Sequence, residues 1–477
     1  MSRQRGAAEQ LLDEAGVPDD REVSPLSGDP MPGEPLTEMG YANRLIAVYG
    51  DRIRYVAAWK RPWLVWDGQR WARDQGTGQV SRWAKSIARG LTSAALAIEG
   101  DRERETVMRY TRRGESSASI KGTLALASVD ERITAAPEDL DRDPLLLNCP
   151  NGVLDLRTMQ LRPPEPGLLL TKMTGASYEP DAEGPTFEKF LHRVQPDEDM
   201  RAYLARLLGH GLEGRVTEHV LPIFHGSGRN GKGTLVAAIL DALGDYADAA
   251  DPQLLTARTN DAHPTSNADL FGLRLAVLHE GDAGRRLAEG TAKRLTGGDK
   301  VKARRMHEDF WSFIPSHLIV MLTNHKPLIS GTDEGIWSRL RLVPWPVVIP
   351  PEERDPRLGD RLAEELSAVL AWLAAGYSHY RRRGLADPEA VTAATNAYRA
   401  ESDALGRFLD QCCITGHGMT VRSSELYSAW ASWCKAEGAD AGTQTAFSNA
   451  LHERGFDSYR SNGMRWKGIG LVAEDAG

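Results

Sequence analysis

The stretch Leu221 to Leu240, LPIFHGSGRNGKGTLVAAIL, constrains this chain more than any other. Leu221 to Phe224 is an apolar run of buried-strand length, His225 to Gly233 is a glycine-rich turn, and Leu235, Val236, Ile239, Leu240 and Leu243 then recur at helical spacing. Strand, loop and helix follow in the order of a nucleotide-binding loop. Gly226, Gly228 and Gly231 admit backbone angles closed to other residues, so successive amide N–H groups can converge on an anion. The helix N-terminus adds partial positive charge, and Lys232 can reach terminal phosphates. Gly226, Gly231 and Lys232 satisfy G-x-x-x-x-G-K, and the candidate nucleotide contacts are Gly226, Ser227, Gly228, Arg229, Asn230, Gly231, Lys232, Gly233 and Thr234. One element departs from the pattern: Gly233 stands where a hydroxyl usually follows the lysine, and Thr234 comes one place later, which leaves the magnesium ligand open. The plainer alternative is a left-handed glycine turn with no ligand; the flanking strand and helix patterns argue against it.

At 477 residues the chain is long enough for two to four domains, one of them an α/β core. A net charge of −8 gives no bulk nucleic-acid signature, so any contact with DNA needs a local basic surface. Cys149, Cys412, Cys413 and Cys434 show neither C-x-x-C pairing nor histidine spacing, which argues against zinc or a disulfide framework and fits a reducing cytosol. With no long apolar run and no signal-peptide core, a soluble cytoplasmic protein without membrane contact is expected.

The expected organisation is a disordered, Pro-, Gly- and acid-rich tail over 1–36, then a small α+β domain over 37–143. That domain has a helix capped by Thr37 and a hairpin turning at Asp67-Gly68. Helical patterns then fill Val80 to Ile98 and Arg102 to Ala127. Trp63, Trp66 and Trp71 could stack on bases, but a hairpin packed on helices wants them for its core. Residues 144–215 read as a β-rich connector and a helical collar, the latter over Thr186 to Leu212. The ATPase-type core spans 216–350 and a helical segment 351–404, with helices over 359–383 and Ala386 to Ala404. The last piece, 405–477, reads as three helices and a β-hairpin, the outline of a winged helix with Arg460, Arg465, Trp466 and Lys467 on the wing.

Three further features follow the loop. The apolar strand RLAVL ends in His279-Glu280-Gly281-Asp282, where a carboxylate can hold magnesium or polarise a water. The strand Leu318 to Leu322 ends at Thr323-Asn324, whose amide could sense a γ-phosphate, although Asn also commonly starts a turn. In WSRLRLVPW, Arg339 and Arg341 precede another apolar strand and could reach a phosphate, their own or a neighbour's. Between the second and third strands lie Lys293, Arg294, Lys300, Lys302, Arg304, Arg305 and His307, a basic run fit to grip a phosphodiester backbone or simply to face solvent.

The series NGVLDL, GSGRNGKGTL, HEGD, LTGGDKVKARRMHEDFWSFIP, TNHKP and IWSRLRLVPW resembles the phage, plasmid and poxvirus primase–helicases, whose motor belongs to helicase superfamily III. The resemblance covers about 37–472. It implies an α/β fold with a central parallel-sheet P-loop core of AAA+ type, and ATP and Mg²⁺ as cofactors. Lys232 matches the phosphate-binding lysine and Thr234 lies near the expected magnesium ligand. Glu280 matches the acidic motif, with Asp282 two places on in place of an adjacent carboxylate. Asn324 matches the sensor amide and Arg339 the arginine finger that serves a neighbouring subunit. Lys293 to His307 covers the hairpin that touches DNA in the central channel. The resemblance further implies a hexameric ring on single-stranded or forked DNA in phage or plasmid replication. The first 140 residues have neither the length nor the cysteines of the family's polymerase-type primase domain, so primer synthesis is expected from a separate primase. The competing expectation is an origin-binding protein or nucleotide-gated loader that uses ATP as an assembly switch. A packaging or general AAA-type ATPase is disfavoured by the compact spacing from Lys232 to Glu280 and Asn324.

Overall fold

A computed structural model describes residues 31, 33–74, 78–257, 264–279, 285–304, 310–329, 334–437 and 439–472. At the N-terminal end, α1 (Glu38–Tyr49) is capped by Thr37, whose hydroxyl accepts from Gly40 N at 3.3 Å. An antiparallel sheet follows, β1 (Ile53–Tyr55), β2 (Trp63–Trp66) and β3 (Trp71–Arg73), then α2 (Gln79–Leu96), α3 (Asp101–Gly114) and α4 (Ser117–Ala127). The single helical pattern expected over Arg102 to Ala127 is two helices, because the Ser116 hydroxyl caps a new start at Ser119 N. The expected two-residue turn is a four-residue one: Asp67 N donates to Arg70 O, and the Asp67 carboxylate accepts from Gln69 N and Arg70 N. The tryptophans pack within this unit; Trp71 is fully buried under the Arg54 guanidinium.

The connector is a second antiparallel sheet, β4 (Leu146–Cys149), β5 (Gly152–Asp155) and β6 (Gln160–Arg162). The helical stretch behind it divides into α5 (Pro185–Val194) and α6 (Glu198–His210). Pro196 supplies no N–H, and the Asp197 carboxylate accepts from Asp199 N and Met200 N to start the second helix.

The core is a five-stranded, all-parallel sheet in the order β13-β7-β12-β9-β8, built from β7 (Leu221–His225), β8 (Ala247–Ala250), β9 (Leu275–His279), β12 (Leu318–Thr323) and β13 (Leu340–Pro344). Between these strands run α7 (Lys232–Leu243), α8 (Pro264–Ala268), α9 (Glu289–Leu295), the antiparallel pair β10 (Val301–Ala303) and β11 (Trp311–Phe313), and α10 (Glu334–Trp337). Both faces of the sheet are covered, so its inner strands β7, β12 and β9 read as apolar runs. On β12, Leu318, Val320 and Leu322 join Phe224 and the α7 side chains Leu235, Val236 and Ile239. Ile319 and Met321 point to the opposite face, with Ile223, Leu278, Leu295 and Trp337. The strand that sequence patterning misses is β8, whose residues ADAA lack an apolar run; it is an edge strand with Asp248 and Ala249 exposed.

Beyond the core come α11 (Leu358–Ala363), α12 (Leu366–Arg383) and α13 (Glu389–Ser402). The one helix expected over 359–383 divides at Glu365, whose carboxylate accepts from Thr186 N at 3.1 Å and Phe187 N at 2.8 Å and so serves the start of α5. The C-terminal unit is α14 (Ala404–Cys412), β14 (Cys413–Arg422), α15 (Ser423–Glu437), α16 (Gln444–Glu453), β15 (Ser458–Arg460) and β16 (Met464–Leu471), with sheet order β14-β16-β15. Helix, strand, two helices and a hairpin is a winged-helix order; the glycine-punctuated β14 is the part that the sequence pattern conceals.

α6 and α12 cross closely enough to exclude side chains. A Cβ on Gly376 would overlap the Ala205 carbonyl, and one on Gly209 the backbone of Leu373 and Tyr377. Gly376→Ala is expected to destabilise the chain by about 2–3 kcal/mol. Gly290→Ala, whose Cβ would meet open space in α9, is expected to change stability by less than about 1 kcal/mol, and denaturant unfolding of the two variants checks the difference.

Candidate functional site

Three strands end level at the carboxyl edge of the sheet: Thr323 and Pro344 are both in register with His225. The chain leaves β7 for the far edge at β8, and β12 later inserts between β7 and β9. A crevice opens outside the strand ends where connections diverge in this way. The glycine-rich loop 226–231 fills its rim, and Gly231 precedes the first residue of α7, Lys232.

The loop geometry corrects the expectation that all three glycines serve backbone freedom. Only Gly231 (φ +83°) is left-handed among them, and the second left-handed residue is Arg229 (φ +64°). Gly226 is needed for space, since a Cβ there would press on the Trp345 carbonyl and stand 2.7 Å from the Asn230 amide nitrogen. A Cβ on Gly231 would stand 2.5 Å from the Val194 side chain, so the loop lies against α5. The buried Asn230 side chain donates to Ser227 O at 2.6 Å, and Ile349 N donates to Arg229 O at 3.0 Å. Ser227, Gly228 and Arg229 are exposed. The loop is therefore shaped by the protein alone.

Lys232 is only 6 % exposed, and its Nζ donates to Gly226 O at 2.7 Å and to the Asn324 Oδ1 at 3.3 Å. Burial pushes its pKa down to about 8, and among the described residues no carboxylate acts to raise it. A buried ammonium held by two neutral oxygens fits an anionic ligand, as a phosphate would be. Asn324 stands just past the end of β12 and is the residue that brings the second strand to the lysine. His225 is held below its ordinary pKa, first by burial and then by Lys326 and Lys232.

The magnesium question stays with few groups. Gly233 is exposed and open space surrounds the position of a Cβ there; Thr234 is half-buried in the first turn of α7. Glu280 and Asp282 lie outside the described residues; the described part of β9 ends at His279, in register with Leu322. Among the described residues no group of three or more His, Cys, Asp or Glu is placed to hold a metal.

Arg339 is not brought to Lys232. It stands at the amino edge of the sheet, where its carbonyl accepts from Leu221 N at 2.8 Å, so the length of β7, roughly 13 Å at strand rise, separates it from the loop. Its Nη1 donates to Gly335 O, and its Nε is buried without a partner among the described residues. Arg341 is taken up by Asp387 at 2.5 Å, which removes it as a free phosphate contact.

The basic segment contains a hairpin: Val301 pairs with Phe313 and Ala303 with Trp311. Lys300 and Lys302 are exposed, Lys293 and Arg304 half-buried; Arg305 and His307 lie outside the described residues. The feature not anticipated is aromatic: Arg304 sits 4.9 Å from the ring of Phe310, which is 58 % exposed. A bulky side chain following a run of charges was its only signal. On the C-terminal hairpin Arg460 and Lys467 are exposed, but Trp466 is 1 % exposed and belongs to the core of its unit, because its strand position faces Phe408 and Trp430.

Comparison with known proteins fits this architecture. Residues 42–196 match the family described as D5 N terminal like, and residues 224–339 match a family of unknown function, DUF5906. A protein of Acanthamoeba polyphaga mimivirus named "Putative helicase" is 30% identical over 325 residues, 62% of this chain and 34% of the relative. A protein of African swine fever virus named "Putative primase" is 25% identical over 349 residues, 66% of this chain and 35% of the relative. The apo C-terminal region of NrS-1 aligns over 63% of this chain and 79% of that chain at 11% identity, with a TM-score of 0.40, too loose to carry an argument. The fold and the two matched segments define an α/β protein with a D5-type N-terminal region ahead of a parallel-sheet core. In sequence the chain is similar to proteins named putative helicases and putative primases of large DNA viruses. It spans about a third of the length of the curated relatives it matches. Among the described residues no helix is long and apolar enough to cross a membrane.

The depressed Lys232 pKa gives a pH signature. An unfolded lysine titrates at about 10.5 and the folded one at about 8, so the unfolded chain binds more protons in between. Stability from this group is lowest below pH 8 and rises as pH climbs towards 10.5. Lys232→Met is expected to remove that rise, and the difference between wild-type and variant unfolding free energies at pH 7.5 and 10 measures it.

Proposed function

We propose that the chain is an ATP-dependent DNA helicase of superfamily III type, assembling as a hexameric ring on single-stranded or forked DNA. The observation that carries this reading is the buried Lys232 bonded to Asn324 at the carboxyl edge, with Arg339 at the opposite edge. In this reading Lys232 and the amides of 226–234 hold the β- and γ-phosphates, Asn324 positions the attacking water and Glu280 polarises it. Thr234, Glu280 and Asp282 would hold magnesium, which when bound neutralises charge on the phosphate oxygens. Arg339 is too far along β7 to serve its own loop and acts on the nucleotide of an adjacent protomer. Lys293, Lys300, Lys302, Arg304, Arg305 and His307 contact the strand in the pore.

A trans-acting finger has a distinctive consequence. Arg339→Ala should bind ATP normally and lose about 10³-fold or more in turnover. Lys232→Ala should lose nucleotide binding. Mixing the two inactive variants should restore part of the turnover, because some interfaces then pair an intact loop with an intact arginine. Near-wild-type turnover of Arg339→Ala alone, or failure of the two inactive variants to recover activity on mixing, rejects the assignment.

A second reading is a nucleotide-gated loader that uses ATP for assembly without unwinding. Gly233 in the usual hydroxyl position and the winged-helix order of the C-terminal unit favour it. Unwinding of a forked duplex decides: the helicase reading expects strand separation with ATP and none with a nonhydrolysable analogue, whereas a loader separates no strands with either.

A further inference from the structure

The N-terminal unit carries a charged surface that the reading above does not use. Helix α3 (DRERETVMRYTRRG) buries little besides Thr111 and Gly114, the latter packed on the Tyr41 ring. At about 100° per residue, Arg102, Arg109 and Arg113 fall within roughly 40° of one another, on the side of the helix opposite Thr111. All are exposed, and among the described residues their side chains make no hydrogen bond or ion pair. The stripe runs about 16 Å along the axis, enough to face several consecutive phosphates. Arg112 and the half-exposed ring of Tyr110 flank it.

Ordinary helix electrostatics do not account for the arrangement. Arg112 and Arg113 suit the negative C-terminal end, but Arg102 stands in the first turn, where a cation is unfavourable, and Arg109 lies between. The helix's acids sit in its first half; Asp101 is already paired with Arg104, and Glu105, four residues before Arg109, makes no ion pair with it. From Val107 to Gly114 there is no acid at all, in a chain of net charge −8. Aligned arginines beside an exposed aromatic ring match the chemistry of a single strand, with phosphates on the cations and a base on the ring.

We infer that the outer face of α3 is a second nucleic-acid surface, gripping the backbone of single-stranded DNA apart from the β10–β11 hairpin. This rests on the reading of the chain as acting on DNA. The test is fluorescence anisotropy of a labelled oligo-dT with the full chain across a salt series. Arg102→Gln/Arg109→Gln/Arg113→Gln is expected to weaken binding about tenfold at 0.1 M salt and to make the log K–log salt slope shallower by about 2, at roughly 0.7 per phosphate released. Arg109→Gln alone, which guards against a misfolded triple variant, should lower the slope by about 0.7. Lys300→Gln/Lys302→Gln, on the hairpin, provides the comparison. If the α3 variants keep wild-type affinity and slope while the hairpin variant weakens binding, the inference is overturned and the stripe is a solvated face or meets an acidic protein. If the wild-type chain does not bind the oligonucleotide, the DNA-directed reading itself fails, and the inference with it.

Discussion

The core turns on one buried cation. Removing the Lys232 ammonium from water costs free energy, and among the described residues a carbonyl and an amide oxygen are its partners. A fold keeps such a group where an incoming anion supplies the missing charge. The rest of the core serves to hold it there: a parallel sheet brings the ends of β7 and β12 side by side, and α7 begins at the lysine itself. The loop is fixed by contacts that involve no ligand, the Asn230 amide on Ser227 O and Gly231 against Val194, so little ordering remains to oppose binding.

The same lysine explains what was legible in the sequence. β7, β9 and β12 are buried on both faces, so each reads as an apolar run, which β13 interrupts only at Arg341, and the glycine spacing marks the loop between the first of them and its helix. Asn324 stood out for the same reason, as the polar side chain that follows Thr323 at the end of such a run. The edge strand β8 has one neighbour and little to bury, and its residues carry no pattern. Helix ends were concealed where a cap comes from far away in the chain: Glu365 serves α5 from 178 residues downstream. The fate of Arg341 was equally hidden, since Asp387 reaches it only once α13 has packed on β13. For the loop, composition showed that glycines were needed and left open which constraint each meets, a steric one at Gly226 and a torsional one at Gly231.

The placement of the two arginines next to β13 is a consequence of strand direction. Side chains at the start of a parallel strand cannot meet side chains at the end of its neighbour, so Arg339 and Lys232 are kept apart by the sheet itself. An isolated chain thus has Lys232 at one edge and, at the far edge, an arginine whose Nε has no partner among the described residues. Under the function proposed above, such a division is used between copies arranged head to tail, the geometry that closes into rings.

β12 provides contiguity between the loop and the hairpin. Its end carries Asn324, bonded to Lys232, while Ile319 and Met321 on one face share an apolar cluster with Val301, Ala303 and Phe313 of the β10–β11 pair. Interiors packed at this density transmit displacement instead of absorbing it. A ligand that draws Asn324 off the lysine acts on a strand whose other face supports the hairpin base. The hairpin keeps Lys302 and Phe310 exposed while Val301, Ala303 and Phe313 anchor its base in that cluster, so a displacement of β12 reaches the exposed groups through buried contacts.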